Sequence, residues 1–374
     1  MAKQMECLIE EGDHREWLTK GRTKQKKMRL QTALLWGAFF SYNLRSANAG
    51  LFTAVFESLK DFFGRAATPV EQCREPWIKT ELPNLRADLE AKVYGQHLVI
   101  DSVVKTVRVH LRRSPQKALA LSFQGWTGTG KNLVASIIAQ NLYDRGMRSE
   151  YVHVLTAYKH FKQHEEEWVV YYKDQIQQWV EGNVSSCPRQ LFIFDEVEDM
   201  PDGLLDALKP FLDHYESVQG TDYRSSIFLF LGNLGGKVLY KAAHNHHQSG
   251  GKRNDLEVKD MEKMLRTKAY NSKGGLKVSR LINSNLISHY IPFLPLEKRH
   301  VQQCANDELM KRDVEFKKRD GLIEKVISQL TFTPEDVELY STSGCKRVSE
   351  MFDLIMEEGY YEPREKGNYD KSEL

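Results

Sequence analysis

The sequence has few cysteines and almost no net charge, and each shortage excludes a class of protein. The five cysteines are Cys7, Cys73, Cys187, Cys304 and Cys345. They are too few and too scattered for a disulfide scaffold, and none lies in a C-x-x-C pair that would support a zinc site. Lys and Arg number 53 against 51 Asp and Glu, which leaves a formal net charge of +2. We therefore expect no nucleic-acid partner, because such binding needs a concentrated positive surface.

The apolar run at residues 30–40 is too short for a transmembrane helix, which needs about 20 residues. It follows a basic block at residues 20–29 and precedes Ala47-Asn48-Ala49, the order of regions in a secretory signal peptide. We expect residues 1–49 to be an N-terminal extension with a signal peptide. A buried hydrophobic helix is the alternative, and translation from Met28 instead of Met1 stays open.

Two further short motifs agree with a secretory route. The chain ends in Lys371-Ser372-Glu373-Leu374, one residue away from the K-D-E-L retrieval signal. Asn183 begins the only N-x-[ST] sequon, which predicts glycosylation in a surface turn before Pro188. With the signal peptide, these motifs predict residence in the lumen of the endoplasmic reticulum.

The remaining composition is that of an ordinary globular protein of about two domains, with 374 residues, 41% hydrophobic and 28% charged. Helical and strand patterns alternate from Gly95 onward. They predict an α/β domain with a mainly parallel sheet at residues 95–295 and a small helical domain at residues 296–357. Residues 50–94 would be a linker that either lies on a membrane surface or packs into the core. Residues 358–374 would be a C-terminal tail.

A glycine-rich loop lies between the first predicted strand, residues 118–123, and an apolar-periodic helix. Its residues are Gly125, Trp126, Thr127, Gly128, Thr129, Gly130, Lys131 and Asn132. Strand, loop and helix in this order indicate a P-loop, in which backbone N–H groups and the helix N-terminus surround the phosphates of ATP. Lys131 would reach the β and γ phosphates. Asn132 replaces the Ser or Thr that normally holds Mg²⁺, so magnesium geometry and turnover rate stay open.

Paired carboxylates follow a second core strand, residues 191–194, as in a Walker B motif. Asp195 would position Mg²⁺, and Glu196 would act as general base for the attacking water. A predicted strand at residues 151–155 and a predicted helix at residues 168–180 separate this pair from the P-loop. A third strand, residues 226–231, leads to Asn233, which matches the sensor position of AAA+ ATPases. A turn-forming Asn is the alternative.

With these motifs the chain resembles the torsin family of AAA+ ATPases. The matching segments are GWTGTGKN at 125–132, YKDQIQQW at 172–179, GNVSSC at 182–187, FIFDE at 192–196, LKPFLDHYE at 208–216, PFLPLE at 292–297 and GCK at 344–346. The resemblance covers about residues 70–357, and Asn after the P-loop Lys is itself a torsin feature. It implies an AAA+ P-loop fold, ATP and Mg²⁺ as ligands, and a location in the endoplasmic reticulum lumen and nuclear envelope.

The resemblance also implies roles for residues outside the P-loop. Lys346 would be a sensor-2 residue that contacts the γ phosphate. Cys304 and Cys345 match the redox-responsive pair of the family, with two free buried thiols as the alternative. Cys73 and Cys187 could form a second, structural bridge.

Torsins lack the arginine finger of most AAA+ rings, and the resemblance therefore implies weak activity without a partner. A type II membrane protein supplies that Arg from its luminal domain. Arg224, before the third strand, could be an internal finger, but a solvated Arg beside a strand is the favoured interpretation. We expect a homo- or hetero-oligomer that remodels proteins or membranes. An ATP-switched binding module with little hydrolysis is the alternative function.

Overall fold

The structure is a computed structural model, and it describes residues 70–112, 114–271, 274–276, 280–312 and 319–360. The predicted signal peptide, residues 50–69 of the predicted linker, and the C-terminal retrieval motif lie outside the described residues. In the described part of the chain, no helix is long and apolar enough to cross a membrane.

A five-stranded parallel sheet forms the centre of the protein, with the strand order β2-β3-β4-β1-β5. The strands are β1 Leu119–Gly125, β2 Val152–Thr156, β3 Leu191–Asp195, β4 Ile227–Gly232 and β5 His289–Phe293. The predicted α/β class is confirmed, and the first four strands agree with their predicted positions to within two residues. The carboxyl ends of parallel strands meet at one edge of a sheet, which is where such folds place their ligands.

Helices connect the strands and cover the sheet. They are α1 Leu85–Lys92, α2 His97–Arg112, α3 Lys131–Leu142, α4 Ala157–His160, α5 Glu166–Ser186, α6 Lys209–Leu212, α7 Gly236–Gln248, α8 Val258–Asn271 and α9 Arg280–Asn283. Short 3₁₀ turns occupy Gly146–Arg148, Leu204–Leu208 and Arg253–Asp255. The apolar residues of α2 recur at helical spacing because they are buried: Val99, Val103 and Val107 are fully enclosed.

Each face of the sheet has its own apolar core, because alternate strand residues point to opposite sides. On one face Phe192 stacks on Phe228 with ring centroids 4.8 Å apart, and Phe194 stacks on Phe230 at 5.5 Å. The intervening strand residues belong to the core on the other face. Burial on both faces explains why β3 and β4 are continuous apolar runs in the sequence.

A small C-terminal unit has a third apolar core of its own. It consists of α10 Lys298–Met310, α11 Arg319–Ser328, β6 Phe332–Thr333, β7 Tyr340–Ser341 and α12 Val348–Tyr360. The helices agree with the helical domain predicted at residues 296–357. The antiparallel pair of β6 and β7 was not, because each strand has only two residues.

Two disulfide bonds lie in the described residues. Cys73 is bonded to Cys187, which ties the segment before α1 to the end of α5. Cys304 of α10 is bonded to Cys345, 41 residues further along the chain. Both pairs proposed from the sequence are therefore bonded, and the alternative of free thiols is wrong for this structure.

The predicted surface turn at Asn183 is wrong. The last turn of α5 includes this residue, and its side-chain Nδ2 donates to the Trp179 carbonyl oxygen at 2.7 Å. The helix continues past Gly182 because Val180 and Val184 lie on its buried face. Glycosylation of Asn183 stays a prediction.

Candidate functional site

The glycine-rich loop joins the carboxyl end of β1 to α3, as a P-loop requires. Gly128 has φ +70° and Gly130 has φ +102°, values that glycine adopts without strain. A Cβ built on Gly128 would lie 1.9 Å from the Ser343 carbonyl oxygen, whereas one on Gly130 would have nothing within 4 Å. No side chain caps the start of α3. The loop is thus open beside a helix N-terminus, an arrangement that fits a phosphate group.

The aromatic and hydroxyl side chains of the loop pack on the protein or are exposed. The Trp126 ring stacks on Tyr240 of α7, with centroids 5.0 Å apart, and Tyr240 meets Tyr340 of β7 edge-on at 5.8 Å. Thr129 Oγ1 donates to the Trp126 carbonyl oxygen at 2.7 Å, and Thr127 is exposed. These contacts hold the loop in place and leave its backbone as the ligand-binding surface.

Lys131 is buried at the first position of α3, where three oxygen atoms hold its ammonium. Nζ donates to the carbonyl oxygens of Gly125 at 2.8 Å and Trp126 at 2.7 Å, and to Asn233 Oδ1 at 2.8 Å. Burial lowers the pKa of Lys131 to about 8, against the opposing effect of nearby carboxylates, Glu198 first among them. The ammonium is therefore linked directly to the residue at the sensor position.

The pKa of Lys131 gives a testable pH dependence. Phosphate binding needs the ammonium form, which the ligand-free protein loses as the pH rises through about 8. We expect the Kd for a non-hydrolysable ATP analogue, measured by titration calorimetry, to increase roughly tenfold per pH unit above that pKa. Lys131→Arg keeps its charge throughout this range and should show a flat profile. A flat profile for the wild type would contradict the lowered pKa.

Asp195, the last residue of β3, faces Asn132 in the first turn of α3. Asn132 Nδ2 donates to Asp195 Oδ2 at 2.8 Å, and Asp195 Oδ1 accepts from the Glu196 N–H at 3.0 Å. Carboxylate and amide oxygens are suitable ligands for Mg²⁺. The fold therefore brings together the two residues that would hold the ion, although they are 63 positions apart in the sequence.

Glu196 follows β3 in an unusual backbone conformation, with φ +59°. Its Oε2 atom is buried and has no hydrogen-bond partner among the described residues. Burial, and second the neighbouring Asp195 carboxylate, raise the pKa of Glu196. Such strain and such an unpaired acceptor cost free energy and are found together at functional sites. A carboxylate with a free oxygen and a raised pKa is suited to accept a proton from water.

Glu198 is a half-buried carboxylate that the sequence motifs did not indicate. Its Oε1 accepts from the backbone N–H of Asn233 at 3.0 Å and from Asn233 Nδ2 at 2.6 Å. Because Asn233 Oδ1 accepts from Lys131, Glu198 determines the orientation of the Asn233 amide. Burial raises the pKa of Glu198. The sequence does contain a signal for Glu198: it is the third carboxylate after β3 and follows the apolar Val197. A carboxylate next to buried apolar residues needs a hydrogen-bond partner.

Gln96 is a second missed residue, and it connects the P-loop to the end of β5. Its Nε2 donates to the Thr129 carbonyl oxygen at 3.1 Å and to the Leu294 carbonyl oxygen at 2.9 Å. Its Oε1 accepts from the Leu294 N–H at 2.9 Å. A single Gln before a helix carries no sequence signal for this role.

The loop at residues 343–346 of the C-terminal unit rests on the P-loop. The Cys345 N–H donates to the Gly128 carbonyl oxygen at 3.0 Å. Gly344 has φ +56°, and a Cβ there would lie 2.3 Å from that same oxygen. Glycine is therefore required at both positions for this close approach of the two loops.

Lys346, at the end of this loop, is electrostatically coupled to the site. Its ammonium contributes to lowering the pKa of both Glu196 and Lys131, although burial dominates at each residue. The Cys304–Cys345 disulfide fastens the loop to α10. One hydrogen bond and one close contact thus join the loop to the P-loop, and the disulfide joins the same loop to α10.

Arg224 lies at the opposite edge of the sheet, before the amino end of β4. Its Nε and Nη2 donate to the two carboxylate oxygens of Asp222 at 3.0 and 2.9 Å. The interpretation of Arg224 as an arginine flanking a strand is correct, and the alternative of an internal finger is wrong.

The fold and the site define a P-loop ATPase-type domain of the AAA+ class. Comparison with solved structures agrees on the fold. The Saccharomyces cerevisiae Hsp104–ADP complex superimposes with a TM-score of 0.52 at 16% identity, over 75% of this chain and 47% of that chain. The S. cerevisiae Hsp104–casein complex in its extended conformation superimposes with a TM-score of 0.51 at 16% identity. The match covers 80% of this chain and 51% of that chain. This chain therefore spans about half the length of the Hsp104 chains that it matches.

The sequence comparisons identify the family. The Torsin family model matches residues 68–194, and the Torsin-1A C-terminal domain model matches residues 296–354. A torsin-like protein of Caenorhabditis elegans is 39% identical over 313 residues, which are 83% of this chain and 85% of that protein. The chain belongs to the torsin family, as its motifs indicated.

Proposed function

We propose that this protein binds ATP with Mg²⁺ at the P-loop and hydrolyses it, with Glu196 as the general base. The observation that carries the proposal is the buried, unpartnered Oε2 of Glu196, which follows the strand that ends in Asp195. Glu198 Oε2 is unpartnered as well, but Glu198 Oε1 is engaged twice by Asn233 and orients it, whereas Glu196 lies directly beside Asp195 with an oxygen free for water.

The other residues act in binding and orientation. Lys131 and the N–H groups at the start of α3 bind the β and γ phosphates. Asn132 and Asp195 hold Mg²⁺, which neutralises charge on the phosphates when bound. Asn233, oriented by Glu198, stands beside Lys131 and positions the attacking water. Lys346 contributes positive charge from the C-terminal unit.

We further propose that the protein is weakly active alone. The Arg224 guanidinium is paired with Asp222 before the amino end of β4, whereas the P-loop follows the carboxyl end of β1. The missing positive charge comes from a type II membrane protein with a luminal domain in the endoplasmic reticulum and nuclear envelope. The protein works with it as a homo- or hetero-oligomer that remodels proteins or membranes.

One observation favours an alternative function, an ATP-switched binding module with little hydrolysis. The Asn132 amide nitrogen contacts Asp195 directly, so Mg²⁺ coordination by this pair requires the amide to turn. Slow turnover would follow if that rearrangement were unfavourable. The raised pKa and free oxygen of Glu196 favour hydrolysis instead.

ATP turnover by the purified full-length chain distinguishes the two functions. A detergent extract of endoplasmic reticulum membranes should stimulate phosphate release by at least about tenfold, because an added arginine stabilises transition-state charge. Addition of the same extract to the Glu196→Gln variant is the blank and should give no stimulation. ATP binding without any extract-dependent, Glu196-dependent turnover would favour the binding module and reject the ATPase.

A further inference from the structure

A cavity lies at the sheet edge opposite the P-loop, beside the amino ends of β1 and β5. Its volume is about 640 Å³. The charged, titratable and aromatic side chains that line it are Lys117, His214, Lys259, Glu262, Lys263, Arg266 and Tyr290. None of them takes part in the nucleotide site, so this cavity needs an explanation of its own.

The cavity wall is strongly basic, although the whole chain has a net charge of only +2. Four of its side chains are Lys or Arg, and the single carboxylate, Glu262, is already engaged. Glu262 Oε1 accepts from the Tyr290 N–H at 3.2 Å and lies 3.9 Å from His289 Nδ1. Glu262 keeps its negative charge in these contacts, and Asp213 interacts electrostatically with Lys117 from beside the wall. The four cations of the wall still outnumber its one carboxylate.

Two of the cations are held in fixed positions by backbone oxygen atoms. Lys117 is half-buried, and its Nζ donates to the Leu286 carbonyl oxygen at 2.8 Å. Arg266 Nη2 donates to the Ile282 carbonyl oxygen at 3.3 Å and to the side chain of Asn285. Each head group still has N–H donors to offer to a ligand, since an ammonium has three and a guanidinium five.

The other two cations, Lys259 and Lys263, are exposed on successive turns of α8. Like charges at this spacing destabilise a helix. An anion bound between them would remove that repulsion. The pair adds two exposed positive charges on the rim of the cavity.

The cavity wall also contains a buried donor with nothing to bind. Tyr290 is 3% exposed, and its hydroxyl oxygen is buried without a hydrogen-bond partner among the described residues. Burial raises the pKa of Tyr290, so the group remains an O–H donor. Ser288, also in the wall, accepts a hydrogen bond from the Ala120 N–H at 3.2 Å and keeps its own proton for donation. The buried hydroxyl has no surface open to the cavity in the ligand-free protein, so a bound acceptor reaches it only after the neighbouring wall side chains shift, and that contact would recover the free energy that the unsatisfied group costs.

We propose that this cavity binds a small ligand carrying one or two phosphomonoester groups. At neutral pH each such group has a charge of about −1.5 to −2 and three acceptor oxygens, which suits four cations and a neutral hydroxyl donor. A free sugar phosphate and the phosphomonoester head group of a lipid share this chemistry. The inference is independent of the proposed ATPase function, because none of its residues touches the P-loop.

The test is titration calorimetry of the full-length chain with fructose 1,6-bisphosphate, in the presence of saturating Mg²⁺ and a non-hydrolysable ATP analogue to fill the P-loop. The double variant Lys259→Gln/Lys263→Gln should weaken binding by about a hundredfold, since each charge-assisted contact is worth about tenfold or more. Lys105→Gln, an exposed lysine on α2, is the matched control and should bind as the wild type does.

Tyr290→Phe separates ligand binding from folding. The change removes only the unpartnered hydroxyl, so the thermal midpoint without ligand should be equal to or above that of the wild type. Affinity for fructose 1,6-bisphosphate should nevertheless fall by about tenfold. Unchanged affinity in both variants would overturn the proposal, as would displacement of the probe by ATP in a titration without the analogue.

Vesicle binding distinguishes the two sources of the phosphate group. Phosphatidylcholine vesicles that contain some phosphatidic acid present a phosphomonoester, whereas those with phosphatidylserine carry a phosphodiester and a carboxylate. If the wild type binds only the vesicles with phosphatidic acid, and the double variant does not bind them, the ligand is a lipid head group. Binding of the soluble probe without vesicle binding would assign it to a free phosphate ester. No binding of either probe by the wild type would reject the site.

Discussion

Glu196→Gln is expected to reduce ATP turnover by about 10²- to 10⁴-fold while ATP binding is retained, because the change removes a general base and keeps the side-chain shape. The amide cannot accept a proton from water, yet it fits the same partly buried space. Binding depends on Lys131 and the loop backbone, which the substitution leaves intact. Single-turnover kinetics with the activating extract would measure the loss, and titration calorimetry would measure the retained affinity.

Glu167→Gln is the matched control, since it makes the same chemical change at an exposed position of α5. It should leave both turnover and affinity unchanged. The acid side of the wild-type pH profile gives a second readout. Because the pKa of Glu196 is raised, the base is protonated, and turnover lost, at a pH above the range of an ordinary glutamate. Residual turnover of Glu196→Gln near the wild-type rate would show that another group takes the proton.

The meeting of the candidate nucleotide-site residues was predictable from sequence because they belong to local motifs attached to parallel strands. Gly125 to Asn132, the pair Asp195 and Glu196, and Asn233 each follow an apolar strand. In a parallel sheet the three strand ends must meet at one edge, so the motifs come together once the strand assignment is correct. The contact of Lys131 with Asn233, 102 positions away, follows from this rule.

Residues whose roles depend on a tertiary partner were not predictable. Gln96 and Glu198 are single polar residues with ordinary sequence surroundings, and only their burial against Thr129 and Asn233 gives them a role. The strand β5 was missed because Pro292 lies within it and argues against a strand. The sheet tolerates this proline because β5 is an edge strand, with β1 on one side only.

Arg253 is another residue whose role depends on tertiary partners, and its replacement is expected to destabilise the protein. Its guanidinium is 6% exposed and joins three separate segments. Nε and Nη2 donate to the Gly95 carbonyl oxygen at 2.9 and 2.7 Å, and Nη1 donates to the Pro295 carbonyl oxygen at 2.9 Å. The Glu297 carboxylate lies 3.3 Å from Nη1. Burial lowers the pKa of Arg253, and the Glu297 charge opposes this effect.

Arg253→Met should reduce the free energy of unfolding by about 3 kcal/mol, the lower end of the range for breaking a buried ion pair. The loss is at the lower end because Arg299 Nε remains 2.8 Å from Glu297 as a second partner. The carbonyl oxygens of Gly95 and Pro295 would be left buried without their donor. Urea unfolding followed by circular dichroism would measure the change.

Arg299→Met is the matched control. Arg299 pairs with the same Glu297 carboxylate, but its side chain is exposed. The Arg299 side chain is 66% exposed, and an ion pair in water contributes at most about 1 kcal/mol. Arg253→Lys should fall between the two variants, since one ammonium keeps the charge but cannot reproduce the planar fork that reaches both carbonyl oxygens. Equal losses for Arg253→Met and Arg299→Met would show that the two arginines are equivalent partners of Glu297. The three-segment contact would then contribute nothing beyond a surface ion pair, and the link from Gly95 through Gln96 to the P-loop would have to be held by other residues.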